Sequence, residues 1–185
     1  LAELPSCSAS VVTMLDFSKD GEGQPSRSED GCCYLVLELG LFTMEQLARD
    51  SREVGRRPSV PEVRETVRSL LSMIAELHRS GCVLATHSPR HFMRFPSGWK
   101  VLAADALRPT DTLLEADASS IEADPLYLSP EFAAAVLARG RHVALRPSMD
   151  VWGVALVCLE LLVPKPLLQE PHARVLARNQ HDPHA

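Results

Sequence analysis

Aromatic side chains are scarce in this chain of 185 residues: two Trp, two Tyr and five Phe, 5% of the total. A core must therefore be built mostly from aliphatic residues. Basic excess is missing too. Nineteen Lys and Arg stand against 24 Asp and Glu, a net charge of −5, whereas a free-standing nucleic-acid binder usually shows the opposite balance. No nucleic-acid partner is expected. No run is long enough to span a bilayer, which needs about 20 apolar residues. The most apolar stretch, Val151 to Val163, carries Glu160 and reads as a buried core helix, so no membrane association is expected either. Leu1 to Ser10 lacks the basic start and continuous apolar run of a signal peptide. No two of the five cysteines (Cys7, Cys32, Cys33, Cys82, Cys158) are spaced C-x-x-C. Adjacent Cys32 and Cys33 on a strand would point to opposite faces, so they would not chelate one metal. An odd count without metal spacing predicts reduced thiols and a cytoplasmic location. There is no internal repeat and no G-x-G-x-x-G.

What is present is ordinary globular composition, 45% hydrophobic and 23% charged, with 14 Pro and nine Gly to punctuate it. That excludes a disordered tail and a collagen-like fibre. Val11 to Phe17 and Cys33 to Leu39 read as two strands of a hairpin, joined by the polar loop Ser18 to Gly31. Phe42 to Ala48 reads as a short helix. Ser59 and Glu62 form a capping box, with Pro61 in the first turn, and open a long helix. Val63, Val67, Leu70, Leu71, Ile74 and Leu77 follow as one apolar stripe, and Gly81 marks the stop. Val83 to Pro89 reads as a loop. Phe92 to Phe95 and Trp99 to Leu102 flank Pro96-Ser97-Gly98 as a second hairpin. The acidic stretch Ala103 to Leu128 reads as loop, and Pro130 to Ala138 as a short helix. Ser148 is expected to cap an apolar helix from Met149 to Leu162, stopped by Pro164 and Pro166. Strands precede residue 41 and helices dominate after it, which predicts an α+β class.

Five segments in order resemble the protein-kinase family. Tyr34 to Gly40 (YLVLELG) resembles the strand running into the hinge between lobes. Leu77 to Met93 (LHRSGCVLATHSPRHFM) resembles the end of the long helix and the catalytic loop. Gly98 to Leu107 (GWKVLAADAL) resembles the strand opening the activation segment, and Leu126 to Phe132 (LYLSPEF) its closing A-P-E motif. Ser148 to Leu162 (SMDVWGVALVCLELL) resembles the D-x-W-x-x-G helix of the large lobe. The resemblance covers residues 33–162. It implies a kinase-like fold that is mostly helical large lobe (41–185, C-terminally incomplete), with residues 1–40 as a two-strand remnant of the small lobe. A two-lobed fold of this kind needs roughly 250 to 300 residues, beyond the usual single-core size. Together with the absence of Met at the start, the length is read as that of a fragment of something longer.

The resemblance also locates positions where chemistry should sit, and most of them are substituted. A kinase catalytic loop reads H-R-D-x-K-P-x-N. Aligned on Gly81 and Pro89, the base position holds Thr86, whose hydroxyl cannot take a proton near neutral pH. The Lys position holds Ser88, and the metal-binding Asn position holds His91, a poor partner for Mg²⁺, which prefers oxygen. Ala85 replaces the Arg that would hold a phosphorylated loop. Loss of a general base alone typically costs about 10²- to 10⁴-fold. In the gap-free register Ala103 stands where the D-F-G Asp belongs. A shift of two residues would place Asp105 there instead, as one surviving metal ligand. Glu38, Leu39 and Gly40, at the hinge, are the backbone this chain could offer an adenine ring. The Gly-rich loop and the strand Lys that hold ATP phosphates have no counterpart. Three positions are structural by resemblance. Glu131 keeps the closing motif. Asp150 should accept backbone amides of the catalytic loop, and Trp152 should fill the core beneath it.

Two histidines, His87 and His91, lie four apart, a spacing that suits a metal on a helix. Pro89 between them argues against a helix and favours hydrogen-bonded or solvated roles. Arg49 to Arg57 reads as a solvated loop rather than a docking patch. Three functional readings follow. The first is a catalytically inactive pseudokinase module that binds or scaffolds a protein partner and needs no cofactor. The second is a divergent serine/threonine kinase using ATP and Mg²⁺ with Asp105 as ligand. The third is a decayed fragment without function.

Overall fold

The computed structural model describes residues 9–55, 57–85, 87–102, 106–115, 124–138, 142–163 and 165–180. Among them helices and small antiparallel sheets are mixed, an α+β arrangement. The first hairpin pairs β1 (Met14–Phe17) with β2 (Leu35–Leu37), Phe17 facing Leu35. A second sheet has the order β3-β5-β6, with β3 Phe42–Thr43, β5 Phe92–Phe95 and β6 Gly98–Val101. Its β5–β6 turn is the expected hairpin, with Phe92 opposite Val101 and Phe95 opposite Gly98.

Helix α1 (Met44–Glu53) is longer than expected. Thr43 caps it in a reciprocal box with Gln46, and the helix runs on through the polar residues after Ala48 because Met44 and Ala48 supply its buried side. The stretch from Arg49 to Glu53, read as loop, is therefore helical. Helix α2 (Val60–Arg79) starts at the Ser59–Glu62 capping box as its sequence requires. Leu70, Ile74 and Leu77 are fully buried on one face, each burial contributing about 1.5–3 kcal/mol. Leu71 lies about 100° around the helix from Leu70 and is exposed. Gly81 takes φ +78°, the left-handed conformation that ends the helix, and its amide donates to His78 O at 3.0 Å.

Two stretches read as loop contain strands. Cys82–Leu84 is β4, paired with β7 (Leu107–Pro109), and β8 (Leu113–Glu115) pairs with β9 (His142–Ala144). Each strand is three residues long with a partner 20 or more positions away, so no local alternation reveals it. Helix α3 is Pro130–Leu137, capped by Ser129. Helix α4 is Pro147–Leu159, and its N-cap position is Arg146 rather than Ser148. Pro147 fixes the first helical residue, and Ser148 falls inside the first turn. Trp152, expected in the core, is 38% exposed. Asp150, Gly153, Val154 and Val157 form the inward side of α4, and at 100° per residue that stripe turns Val151 and Trp152 outward. A last helix, α5, is Gln169–Gln180.

The main core joins Leu70, Ile74 and Leu77 of α2 to Val154 and Val157 of α4 and to Phe92 and Val101 of the three-stranded sheet. A smaller one gathers Val83, Phe132, Val143, Leu145 and Met149. Asp150 lies at the junction. No helix among the described residues is long and apolar enough to cross a membrane.

Candidate functional site

Asp150 sits in the first turn of α4, where the helix amides favour an anion, and its side chain is completely buried. The Leu84 amide, on the last residue of β4, donates to both carboxylate oxygens, at 3.2 Å to Oδ1 and 3.0 Å to Oδ2. His78, in the last turn of α2, places Nε2 2.8 Å from Oδ2. His87 places Nε2 3.1 Å from Oδ1, within ion-pair distance but off the line a hydrogen bond needs. One carboxylate therefore ties α2, β4, α4 and the segment after residue 86 together. Burial pulls the Asp150 carboxyl upward, but the His78 hydrogen bond, the nearby His87 imidazole and the Leu84 amide outweigh it, and its pKa lies below the ordinary carboxylate value.

Room for His87 comes from Gly153. A β-carbon there would lie 2.2 Å from His87 Cγ and 2.6 Å from Cβ, so only a glycine allows the imidazole to sit against α4. Ser88 follows, also buried, and its carbonyl accepts the His91 amide at 2.9 Å in the 3-10 turn Pro89–His91. His91 is half-buried, and its carbonyl accepts the Leu102 amide. His87 and His91 are not on a common helix, and no group of three or more metal-ligating side chains occurs among the described residues. Thr86, Ala103 and Asp105 lie outside the described residues, and the alternative between the last two lies there with them.

The second cluster is at residues 38–40, between β2 and β3. Glu38 Oε1 accepts from the Thr13 amide at 2.7 Å and from Lys100 Nζ at 2.5 Å. Lys100 is buried, and its ammonium also sits 5.3 Å from the centre of the Phe95 ring. The Lys100 hydrogen bond holds the Glu38 carboxyl below its usual pKa. One amide of this segment and one just after it are engaged by protein: Glu38 N–H donates to Thr13 O, and Leu41 N–H to Arg94 O. Leu39 is 90% exposed. Gly40 lies so close to Met93 that a β-carbon there would be 2.0 Å from its Sδ.

Glu131 is exposed in the first turn of α3, with no ion pair seen among the described residues. Sequence reasoning missed His78, Lys100, Met93 and the buried Tyr127–Glu160 pair, in which the Tyr127 hydroxyl donates to the carboxylate. Burial raises both groups above their ordinary pKa values; the shared bond adds to the rise at Tyr127 and opposes it at Glu160. A signal for His78 was available: it continues the Ile74 stripe at the i+4 position. Chemically, the Asp150 cluster is suited to fixing a loop. Its carboxylate is fully buried and already engaged by the Leu84 amide and His78, with His87 alongside, an arrangement that holds backbone in place. No protein-family model and no curated protein matches this chain.

Proposed function

We propose that the chain is a kinase-like domain acting as a protein-binding or scaffolding module without phosphoryl transfer. The observation that carries this reading is the way the 38–40 segment is filled by its own side chains. If that segment is the hinge of the resemblance, an adenine ring would have to lie against it. There Met93 Sδ packs under Gly40, Lys100 and Glu38 neutralise each other, and the Glu38 and Leu41 amides already donate to protein carbonyls. A nucleotide lying there would compete with this part-buried ion pair and with the hydrogen bonds around it. The substitutions at Thr86, Ser88 and His91 support the same reading, because Ser88 is buried and offers no cation to a phosphate.

The test is incubation of the full-length protein with radiolabelled ATP and Mg²⁺, alone and with a generic protein substrate. No incorporation is expected, and no rise in melting temperature at millimolar ATP. Incorporation that disappears in Thr86→Ala would overturn the reading. Mg²⁺-dependent ATP binding that is lost in Asp105→Ala would replace it with a divergent kinase. A chain without a cooperative melting transition would point to a decayed fragment.

A further inference from the structure

A cavity of about 560 Å³ lies apart from both clusters, between α1 and α2 over the three-stranded sheet. Its walls are apolar: Leu47 from α1 and Val54 just after it, Val63 from α2, Phe42 and Trp99 from the sheet, and Leu161 just after α4. Trp99 and Phe42 meet edge to face, ring centres 5.9 Å apart, and make a rigid aromatic floor. The volume falls within the range of specific binding pockets, roughly 300–1,000 Å³. The groove is half-open, and its polar lining includes groups exposed to solvent, Asp50 and Glu65, and groups already bonded within the protein. The Ser51 hydroxyl, for example, already donates to Leu47 O at 2.7 Å. That is the form of a groove between two helices that takes side chains from a peptide, not of a cavity enclosing a small polar molecule.

The rim selects the partner's charge. Asp50, Glu62 and Glu65 line the groove, against the single cation Arg94 among the described lining residues. Asp50 and Glu65 are exposed, and the ion pairs seen for them, with Arg49 at 3.8 Å and Arg68 at 3.3 Å, are solvated surface pairs of little energy. A cation arriving with an apolar anchor can compete for both carboxylates. The chain's net charge of −5 favours the same partners at longer range.

We propose that this groove docks an amphipathic segment of a protein partner, with leucine-type anchors four residues apart on the aromatic floor and flanking Arg or Lys on the acidic rim. The inference deepens the binding-module reading by naming the partner's chemistry. Phosphoryl transfer would overturn that reading and leave the groove untouched, whereas failure of the peptide below would overturn the groove alone.

Trp99 gives a direct readout. The chain has two tryptophans, so Trp152→Phe leaves Trp99 as the sole emitter. The probe is a 12-residue peptide without aromatics, carrying two leucines four apart and two flanking arginines. A saturable change in Trp99 emission is expected. Affinity should fall about tenfold or more when the peptide arginines become Glu, and similarly in the protein double variant Asp50→Lys, Glu65→Lys. Thr66→Phe, which fills the groove from α2, should abolish binding while the chain still melts cooperatively. If that variant does not fold, the charge-reversal pair decides. No saturable change up to about 1 mM peptide would overturn the proposal. So would equal affinity for the Arg and Glu peptides, or undiminished binding in a folded Thr66→Phe variant.

Discussion

Two parts of the chain are similarly apolar and are treated differently by the fold. In the β1–β2 hairpin, Met14, Leu15, Tyr34, Leu35, Val36 and Leu37 are all exposed. In α4, Val154 and Val157 are fully buried. The difference lies in what stands opposite. Helix α4 packs on α2 and β4, so its inward stripe meets other apolar faces. A two-stranded ribbon has no covering layer and is marginal on its own. It is held by tethers: Val12 N–H to Val101 O at 2.9 Å, Val101 N–H to Ser10 O at 2.9 Å, Ser10 Oγ to Glu76, and Glu38 with Lys100. Apolar sequence alone therefore does not determine burial; a second face within reach does.

The sharpest way to break this comparison is to remove the centre of the buried part. Asp150→Ala should cost about 3–5 kcal/mol, because it leaves the buried Leu84 amide with no acceptor and strips the half-buried His78 of its partner. Thermal melting by circular dichroism checks it; a loss below about 1 kcal/mol would show that the helical body is not organised around this carboxylate. Next in size is Gly153→Ala. The added methyl meets the root of the His87 ring, and overpacking of that kind costs about 1–3 kcal/mol. In the His87→Ala background the same change should cost much less, so denaturant unfolding of the four variants should be non-additive.

A third prediction concerns acid. The Asp150 carboxyl has a folded pKa below its ordinary value of 3.8. The unfolded chain therefore takes up this proton first as pH falls. The stabilisation is fully present above the unfolded value and is lost as pH drops from about 4 through the folded pKa. Asp150→Asn should flatten the acid limb of a stability-versus-pH curve. An unchanged limb would mean that other carboxylates govern acid unfolding.

The long-range pairings explain why parts of this fold were legible in the sequence and others were not. Ser59, Glu62 and the α2 stripe act within a few residues of each other, so spacing alone reveals them. The Phe92–Val101 hairpin carries its own turn residues. Strands β4, β7, β8 and β9 are three residues each, specified by partners far along the chain, and local pattern is silent about them. Trp152 was misjudged because its type suggests burial while its angular position on α4 does not. At the site, Asp150 was legible as an anchor. Its imidazole partner His87 depends on a glycine 66 positions later, a steric match that becomes visible only once α4 is in place. Lys100 was legible as a strand residue but not as the partner of Glu38, because the two meet across the join between hairpin and body.

That join gives the smallest predicted effect and the one that most directly separates the two regions. Lys100→Met keeps the aliphatic stem against Phe95 and removes the ammonium from Glu38. Glu38 still accepts from the Thr13 amide and, being half-buried, regains water. The cost should be about 1–2 kcal/mol, the scale of a hydrogen bond to a charged group, and it should fall on the tether. Because stability is not uniform across a structure, local opening and global unfolding can shift independently. Hydrogen exchange at the Thr13 and Glu38 amides should quicken about tenfold, since 1.4 kcal/mol corresponds to that factor. Amides of α2 around Ile74 should hardly change. If hairpin and helix amides quicken by the same factor, the exposed ribbon and the buried helices unfold as one unit, and Lys100 contributes to the stability of the whole chain instead of fastening one part to the other.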